Sequence, residues 1–531
     1  MRTRRCPACQ RESPVVDLYC DCGYNFASGE HRFVKSGDLR AGLRSLLTLP
    51  ARGGAAYLRG TVTAMREGRA GDAALHLLGL VAVVGALLFV TLGLSNPVVP
   101  PERTAHWPLR ADVVGAHVLQ ESNVAFAPPP LLEGGARGVP VVALWTGWPE
   151  GPQAPDGLGV ALAREPFGLV ARPVTGVVGH EGWAGSTDPE GHLWLLWRDR
   201  ATGVVTTAVS ADSGATWSTV EAGVGAHVSD DVDLRTFRAG PHGAHYLVMT
   251  GRRPLRLVRR AAAGAAWRDE GPIPQTEDLP HWGRVGFAVS PEGELGLAGI
   301  GRDGRLRILT SRDGGRSWTA LGAPRMPALP GRVSLIGERA RARNESPEIA
   351  WVGGGWGLVW ERHTTVPASV GRVERATDML FARHDAPRGR WRTPVFLNDR
   401  RAPREEWDGG LNLSLVMQQS RWTRHTWPRR PAFAVAPSGR LAVVWIELRG
   451  KELQAVTAVS GDGGASWSET AIASIPGRGD VLRAGARFGA NEGLRVVYAR
   501  HPSPDLGRID SERLAVEVVE LAFSAPPAGG G

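Results

Sequence analysis

Beyond Cys22 the chain has no cysteine, and of its 62 basic residues only Lys35 and Lys451 are lysine. Without thiols, residues 23–531 form no disulfide, which suits an exported segment with nothing to oxidise wrongly. The near-absence of lysine, with abundant alanine and glycine, reads as a GC-rich coding bias. Tyrosine is also scarce: only Tyr246 and Tyr498 lie beyond residue 94. No HExxH, nucleophile-elbow or P-loop pattern occurs, so the chemistries those motifs carry have no support here. Gly299-x-Gly301-x-x-Gly304 has the letters of a dinucleotide fingerprint, but "RLRILTS" follows it and reads as a strand, so a hairpin turn is expected. His242 and His245 are spaced to share a metal, yet no further ligand stands near them in sequence.

Long apolar runs are equally rare. The only one is "AALHLLGLVAVVGALLFVTLGL", residues 73–94, with no formally charged residue. As a helix it would span about 33 Å, enough for a bilayer core. A signal peptide or a buried core helix competes with this reading. The run is too long and too far from the N-terminus for the first, and too uniformly apolar for the second. One transmembrane helix is therefore expected. Arg40, Arg44, Arg52, Arg59, Arg66 and Arg69 precede it, while "SNPVVPPERTAHWP" after it is nearly uncharged. The positive-inside rule puts the N-terminus in the cytoplasm and the large C-terminal part in the periplasm or outside the cell.

The formal charge is +9. Residues 1–72 hold 12 Arg/Lys and 7 Asp/Glu and so carry more than half of it. The remainder mixes both signs along its length, which describes a solvated surface, and no nucleic-acid partner is expected. Residues 27–72 form a basic juxtamembrane linker with Leu39, Leu43, Leu46 and Leu47 at helical spacing. That pattern fits an amphipathic segment on an anionic leaflet or a solvated linker helix equally well.

All four cysteines lie in "CPACQRESPVVDLYCDC": Cys6, Cys9, Cys20 and Cys22. Two thiolate pairs on tight turns can converge tetrahedrally on one structural Zn²⁺, and a peptide this short has no core without metal. Two disulfides are the alternative, disfavoured on a reducing side of the membrane. The stretch Cys20-Asp21-Cys22-Gly23-Tyr24-Asn25-Phe26 resembles the end of short bacterial zinc ribbons, so residues 1–26 are expected to be one, with an unknown cytosolic partner. Its C-x-C second knuckle is one residue shorter than the commoner C-x2-C.

The rest, residues 112–531 after a Pro-rich linker at 95–111, is repetitive. "SADSGATWS" begins at Ser210, "SRDGGRSWT" at Ser311 and "SGDGGASWS" at Ser460. A second signal, Pro-x-Gly before an apolar strand, recurs at Pro189, Pro241, Pro291 and Pro437. From each Pro to the Trp of the next box, Trp217, Trp267, Trp318 and Trp467, the spacing is 28, 26, 27 and 30 residues. One unit thus reads strand, tight turn, strand, loop, strand, box, strand. Units start about fifty residues apart, the length of a four-stranded propeller blade. Decayed units are visible at "RAAAGAAW", "HDAPRGRW" and "AREPFG", and inner turns without Pro-x-Gly at "WVGGGWGLVW" and "FGANEGLRVVY". The expectation is an all-β propeller of seven units, or six if the first is only a closing strand. The last unit lacks a fourth strand, which "DVVGAHVL" near Val113 can supply.

Within each box the Asp can accept from N–H groups of its own turn, the Ser does so more weakly, the Gly permits φ > 0, and the Trp packs an apolar face. The box residues Ser210, Asp212, Gly214 and Trp217, Ser311, Asp313, Gly315 and Trp318, and Ser460, Asp462, Gly464 and Trp467 are therefore expected to be structural. The pattern resembles the Asp-box, or BNR repeat, of the sialidase-like propellers over about 400 residues. That resemblance implies three arginines on a substrate carboxylate, a Tyr–Glu nucleophile pair and an Asp acid/base. The stretch comparable to the first arginine's reads "NVAFAPPPLL", with Ala127 where the arginine is wanted. "NESPEIAWVGGGWGLVWER" resembles the segment that supplies the nucleophile's Glu and a further arginine, here Glu345 and Arg362, with Tyr498 as the phenol. The same stretch also reads simply as an inner turn of the fifth unit. The leading expectation is a single-pass envelope protein whose propeller binds a glycan or protein ligand without catalysis. A membrane-tethered exo-glycosidase of the sialidase type, and a transducer coupling outside binding to the ribbon, are the alternatives.

Overall fold

The computed structural model describes most of residues 180–398 and 429–523, the strands ahead of them from His106, and short pieces of the first 97 residues. The chain divides into two units, Met1–Pro97 and Val98–Gly531. In the first, Thr3–Arg5 pairs antiparallel with Glu12–Pro14, which brackets residues 6–11. Helical residues occur at Arg59, Val62, Thr63, Met65 and Arg66, and Glu67 N–H donates to Thr63 O at 3.0 Å. The four cysteines and residues 73–94 lie outside the described residues. Among those described, no helix is long and apolar enough to cross a membrane.

The second unit is an all-β propeller. Its described residues form seven antiparallel sheets of four or five strands. The first holds Leu131–Glu133, Val142–Thr146, Gly157–Arg164 and Gly168–Val178. The second holds His180–Thr187, Leu193–Asp199, Val205–Ser210 and Ser218–Ala222. The third holds Arg238–Ala239, His245–Met249, Arg256–Arg260 and Arg268–Pro272. The fourth holds Gly286–Val289, Leu295–Ile300, Leu306–Ser311 and Thr319–Ala320. In the fifth, Arg341–Val352, Gly355–Ser369 and Arg372–Asp385 are followed by the short Arg390–Trp391 and Val395–Phe396. The sixth holds Arg429–Val435, Leu441–Arg449, Glu452–Ser460 and Ala471–Ile472. The seventh runs Asp480–Phe488, Leu494–His501 and Leu514–Phe523, and its fourth strand is Ala111–Ser122 from the other end of the chain. The first strands touch one another in sequence order, and that of the seventh sheet touches that of the first, which closes a ring.

Alternation along these strands builds the core. In Leu193–Asp199 and Leu441–Arg449 both faces are buried, because each middle strand is covered by a neighbouring sheet on either side. The clusters lie between successive sheets: Trp194, Leu196, Phe237 and Leu247 join the second to the third, and Phe381, Trp445 and Val456 join the fifth to the sixth.

The first and third strands of each sheet run the same way, because neighbours are antiparallel. The turn after the first strand and the turn after the third therefore share one edge of the ring. Pro-x-Gly turns and Asp boxes occupy that edge together. The opposite edge carries the turns between second and third strands and the connections between sheets. The Gly301–Arg305 stretch is a hairpin turn between Leu295–Ile300 and Leu306–Ser311, with Gly301 N–H donating to Arg305 O at 2.8 Å.

Candidate functional site

The box edge is a set of local staples. Asp313 Oδ1 accepts from Ser311 Oγ at 2.8 Å and from Ser317 N–H at 2.9 Å, and its Oδ2 accepts from Ser317 Oγ at 2.5 Å. Ser311 Oγ in turn accepts from Gly315 N–H at 2.8 Å, and Trp318 Nε1 donates to Gly315 O at 3.0 Å. The same bonds recur around Asp212 and Asp462, where Thr216 and Ser466 supply the second hydroxyl. That hydroxyl, immediately before the Trp, is a partner the sequence reading left unassigned; Thr216, Ser317 and Ser466 all supply one. Burial opposes ionisation of Asp212, yet the bonds from Thr216 and Ser210 outweigh it and hold the carboxyl down at about 2. Hydrogen bonds from the Ser317 side chain and backbone lower Asp313 as well.

The box glycines have two reasons to be glycine. Gly315 and Gly464 have φ of 97° and 89°. A Cβ at Gly315 would also collide with Leu257 of the third sheet, and one at Gly464 with Phe381 of the fifth. The Asp carboxylate and the hydroxyls of each box are thus bonded inside their own turn, and Gly315 and Gly464 are pressed on the preceding sheet.

The opposite edge of the fifth sheet is different. Its strands are long, and near the start of the first one the backbone bulges: Glu345 pairs with Glu361, but Glu348 pairs with Val359. Ser346, within the bulge, has φ of 47°. Bulges re-aim side chains, and here the result is that Glu345 lies directly opposite Glu361. His363, two residues along, shares that face by strand alternation. His363 Nε2 is 3.2 Å from Glu361 Oε2 and 3.6 Å from Glu345 Oε2. His363 Nδ1 is 3.0 Å from Thr377 Oγ1 on the third strand. Arg343 Nε lies 3.1 Å from the other oxygen of Glu345. The side chain of Glu361 is 4% exposed, that of His363 24% and that of Glu345 39%, so the group opens to solvent on its Glu345 side.

Of the residues the sialidase resemblance pointed to, Glu345 belongs to this group, and Arg362 and Tyr498 do not. Arg362 is opposite Asn344 and lies on the other face of its strand, with Trp360. That face meets the fourth sheet: Asn344 Nδ2 donates to Gly304 O at 2.7 Å, and Trp360 Nε1 donates to Asn344 Oδ1 at 3.2 Å. Tyr498 is fully buried in the core between the sixth and seventh sheets. Its hydroxyl donates to Glu517 Oε2 at 2.6 Å and accepts from Ile475 N–H at 3.2 Å. Arg500 Nε donates to the other oxygen of Glu517 at 2.7 Å. Burial, and then Glu517, push the Tyr498 phenol well above its ordinary range. Glu345, Arg362 and Tyr498 therefore face three different interfaces. Of the two histidines noted in the sequence, His242 lies in the Pro241–Gly243 turn and His245 is buried with its ring centroid 4.0 Å from that of Trp194.

No protein-family description matches the sequence, and no curated protein matches it either. Solved structures with a similar course of the chain include a Trypanosoma rangeli sialidase, at 11% identity and TM-score 0.35, covering 75% of this chain and 55% of that one. An intramolecular trans-sialidase from Ruminococcus gnavus is similar at 9% identity and TM-score 0.34, over 77% of this chain and 96% of the other. Aleuria aurantia lectin is similar at 12% identity and TM-score 0.35, over 67% and 99%. The propeller assignment rests on the strand pairing and ring contacts above, not on these similarities.

Proposed function

We propose that the propeller is a non-catalytic binding module for a glycan or protein ligand, carried outside the cell on a single-pass anchor. The observation behind this reading is the placement of tyrosine. Sialidase-type cleavage needs a phenol that can reach the substrate, and beyond residue 94 the chain has only Tyr246 and Tyr498. Both are buried, at 3% and 0% exposure, and Tyr498 is committed to Glu517. With its phenol pushed up rather than down, Tyr498 is a poor nucleophile as well as an inaccessible one. The exo-glycosidase alternative would have to draw on Glu345 and Glu361 instead.

The anchor and the head complete the proposal. Residues 73–94 would cross the membrane once, with the arginine-rich flank inside. Cys6, Cys9, Cys20 and Cys22 would hold one Zn²⁺. The antiparallel pairing of Thr3–Arg5 with Glu12–Pro14, on either side of Cys6 and Cys9 in sequence, supports this. Zinc analysis of the full chain under reducing conditions should lose one equivalent in Cys20→Ser.

The test of the binding reading uses the detergent-solubilised full chain. A fluorogenic sialoside should remain intact across pH 4–8, while a glycan array or a crosslinking screen on cells captures a ligand. Hydrolysis that stops in Tyr498→Phe would overturn the reading.

A further inference from the structure

Glu345 and Glu361 pose an electrostatic problem. Like charges directly opposite on an antiparallel pair repel, and Glu361 is removed from water, where a carboxylate needs a cation or strong donors. His363 Nε2 lies near both, 3.6 Å from Glu345 Oε2 and 3.2 Å from Glu361 Oε2. Arg343 reaches Glu345 from the solvent side and holds its Oε1, leaving Oε2 turned to His363.

We propose that Glu345, Glu361 and His363 form a site for one divalent transition-metal ion, on the edge of the propeller away from the boxes. This site is independent of the ligand-binding reading and of the cysteine head. One donor atom from each of the three residues falls within 4.8 Å of the others, and among the described residues no other such group occurs. An ion with bonds of 2.0–2.2 Å to tetrahedral ligands sets its donors roughly 3.3–3.6 Å apart. The Nε2–Oε2 separations of 3.2 and 3.6 Å match that edge length, and the longer one is too long for a hydrogen bond.

The surroundings suit an ion as well. His363 Nδ1 lies 3.0 Å from Thr377 Oγ1, so in the tautomer that donates Nδ1–H to this hydroxyl Nε2 would present its lone pair to an ion held with the carboxylates. This outer-shell support fixes both tautomer and ring orientation in metal-ligating histidines. Two carboxylates and a neutral imidazole offer a charge of −2 to a dication. One nitrogen and two carboxylate oxygens favour Mn²⁺, Fe²⁺ or Zn²⁺ over the oxygen-only preference of Ca²⁺. Three protein ligands from two adjacent strands leave open positions on the exposed Glu345 side, where water or a ligand hydroxyl or carboxylate can complete the shell.

Mn²⁺ is the discriminating probe, because thiolates select softer ions and the cysteine head should ignore it. Titration of the full chain with Mn²⁺, followed by the loss of the free-ion electron paramagnetic resonance signal, should show one bound ion per chain. Glu345→Gln and His363→Ala should each weaken binding at least tenfold, Thr377→Val about tenfold, and Cys20→Ser not at all. Glu345 is the most exposed ligand, so Glu345→Gln keeps the test valid if His363→Ala does not fold. Binding that survives Glu345→Gln unchanged overturns the proposal. So does the absence of any bound Mn²⁺ or of any Zn²⁺ equivalent beyond that held by the cysteines. A melting temperature that responds to histidine protonation but not to metal also overturns it, since the imidazolium itself would then be the bridging cation.

Discussion

The third and fourth sheets stand side by side and solve the same turn differently. In the fourth, Ser311 and Asp313 hold the turn, and the residue opposite Ser311 on the second strand is Leu295. Leu193 faces Ser210 and Leu441 faces Ser460 in the same way. In the third sheet, counting back from Trp267, Arg260 stands at the Ser position and Ala262 at the Asp position. The residue opposite Arg260 is His245. Both are buried, at 0% and 1% exposure. Arg260 Nε donates to Ala262 O at 3.1 Å, and its guanidinium carbon lies 5.6 Å from the Trp194 ring centroid. His245 packs against Trp194, Phe237 and Trp267. Where the local staple is lost, a long side chain from the strand end bonds a different group of the turn, the carbonyl at the Asp position, and the leucine opposite becomes a ring that packs beside it. A decayed repeat here is a substituted one, not an empty one.

This comparison can be broken at several points. The largest effect is expected at Trp467, fully buried among Phe381 and Trp445. Trp467→Ala should cost about 3–5 kcal/mol in denaturant unfolding. Trp318 keeps partial exposure, so Trp318→Ala should cost less than Trp467→Ala. Equal costs would mean that the box Trp acts through something other than burial.

Next comes acid. Burial, and then the Arg260 charge, lower His245 to about 3, with Asp188 opposing them. The folded state keeps this ring neutral while the unfolded chain takes up a proton at its ordinary pKa. Stability is therefore fully present above pH ~6.5 and falls as pH drops towards ~3, at about 1.4 kcal/mol per pH unit. Urea titrations at a series of pH values should show this slope, and His245→Leu should remove it. A slope unchanged in that variant would mean that His245 is protonated in the fold.

Rebuilding the staple is a smaller and sharper test. The variant His245→Leu, Arg260→Ser, Ala262→Asp, Ala266→Ser should melt no lower than the parent by calorimetry. A loss above about 2 kcal/mol would show that Arg260 does more than replace a box. The smallest effect is expected at Asp313→Ala, about 1 kcal/mol, because the released N–H groups lie at the surface and can turn to water.

Much of the fold was legible in the sequence because its signals are local. The Ser-x-Asp-x-Gly spacing dictates bonds within one turn, and Ser311, Asp313 and Gly315 make them as read. The strand near Val113 was also legible, since the last unit visibly lacked a partner; Ala111–Ser122 pairs with Leu514–Phe523. The edge site was hidden for a different reason. Reading Glu345 together with Arg362 chooses the wrong parity: Glu361 and His363 flank Arg362 and point the other way. A one-residue slip moves every side chain to the opposite face, and the bulge at Ser346 sets which residue faces which. The signal was present as the alternation in "ERH", but only a register could assign it. The burial of Tyr498 was hidden because its partners are distant in sequence: Ile475 lies past the end of Ala471–Ile472, and Glu517 is on Leu514–Phe523.

The closing strand also sets a clock. Ser122 pairs with Leu514, and Ala111 with Phe523, so the two halves of one ladder are separated by nearly the whole propeller sequence. At typical synthesis rates of roughly 5–20 residues per second, the first strand waits about 20–80 s for its partner to be made. Throughout that interval its N–H and C=O groups form an edge open to any other extended chain, including that of a second copy. Ending the chain before Leu514 would make the interval permanent.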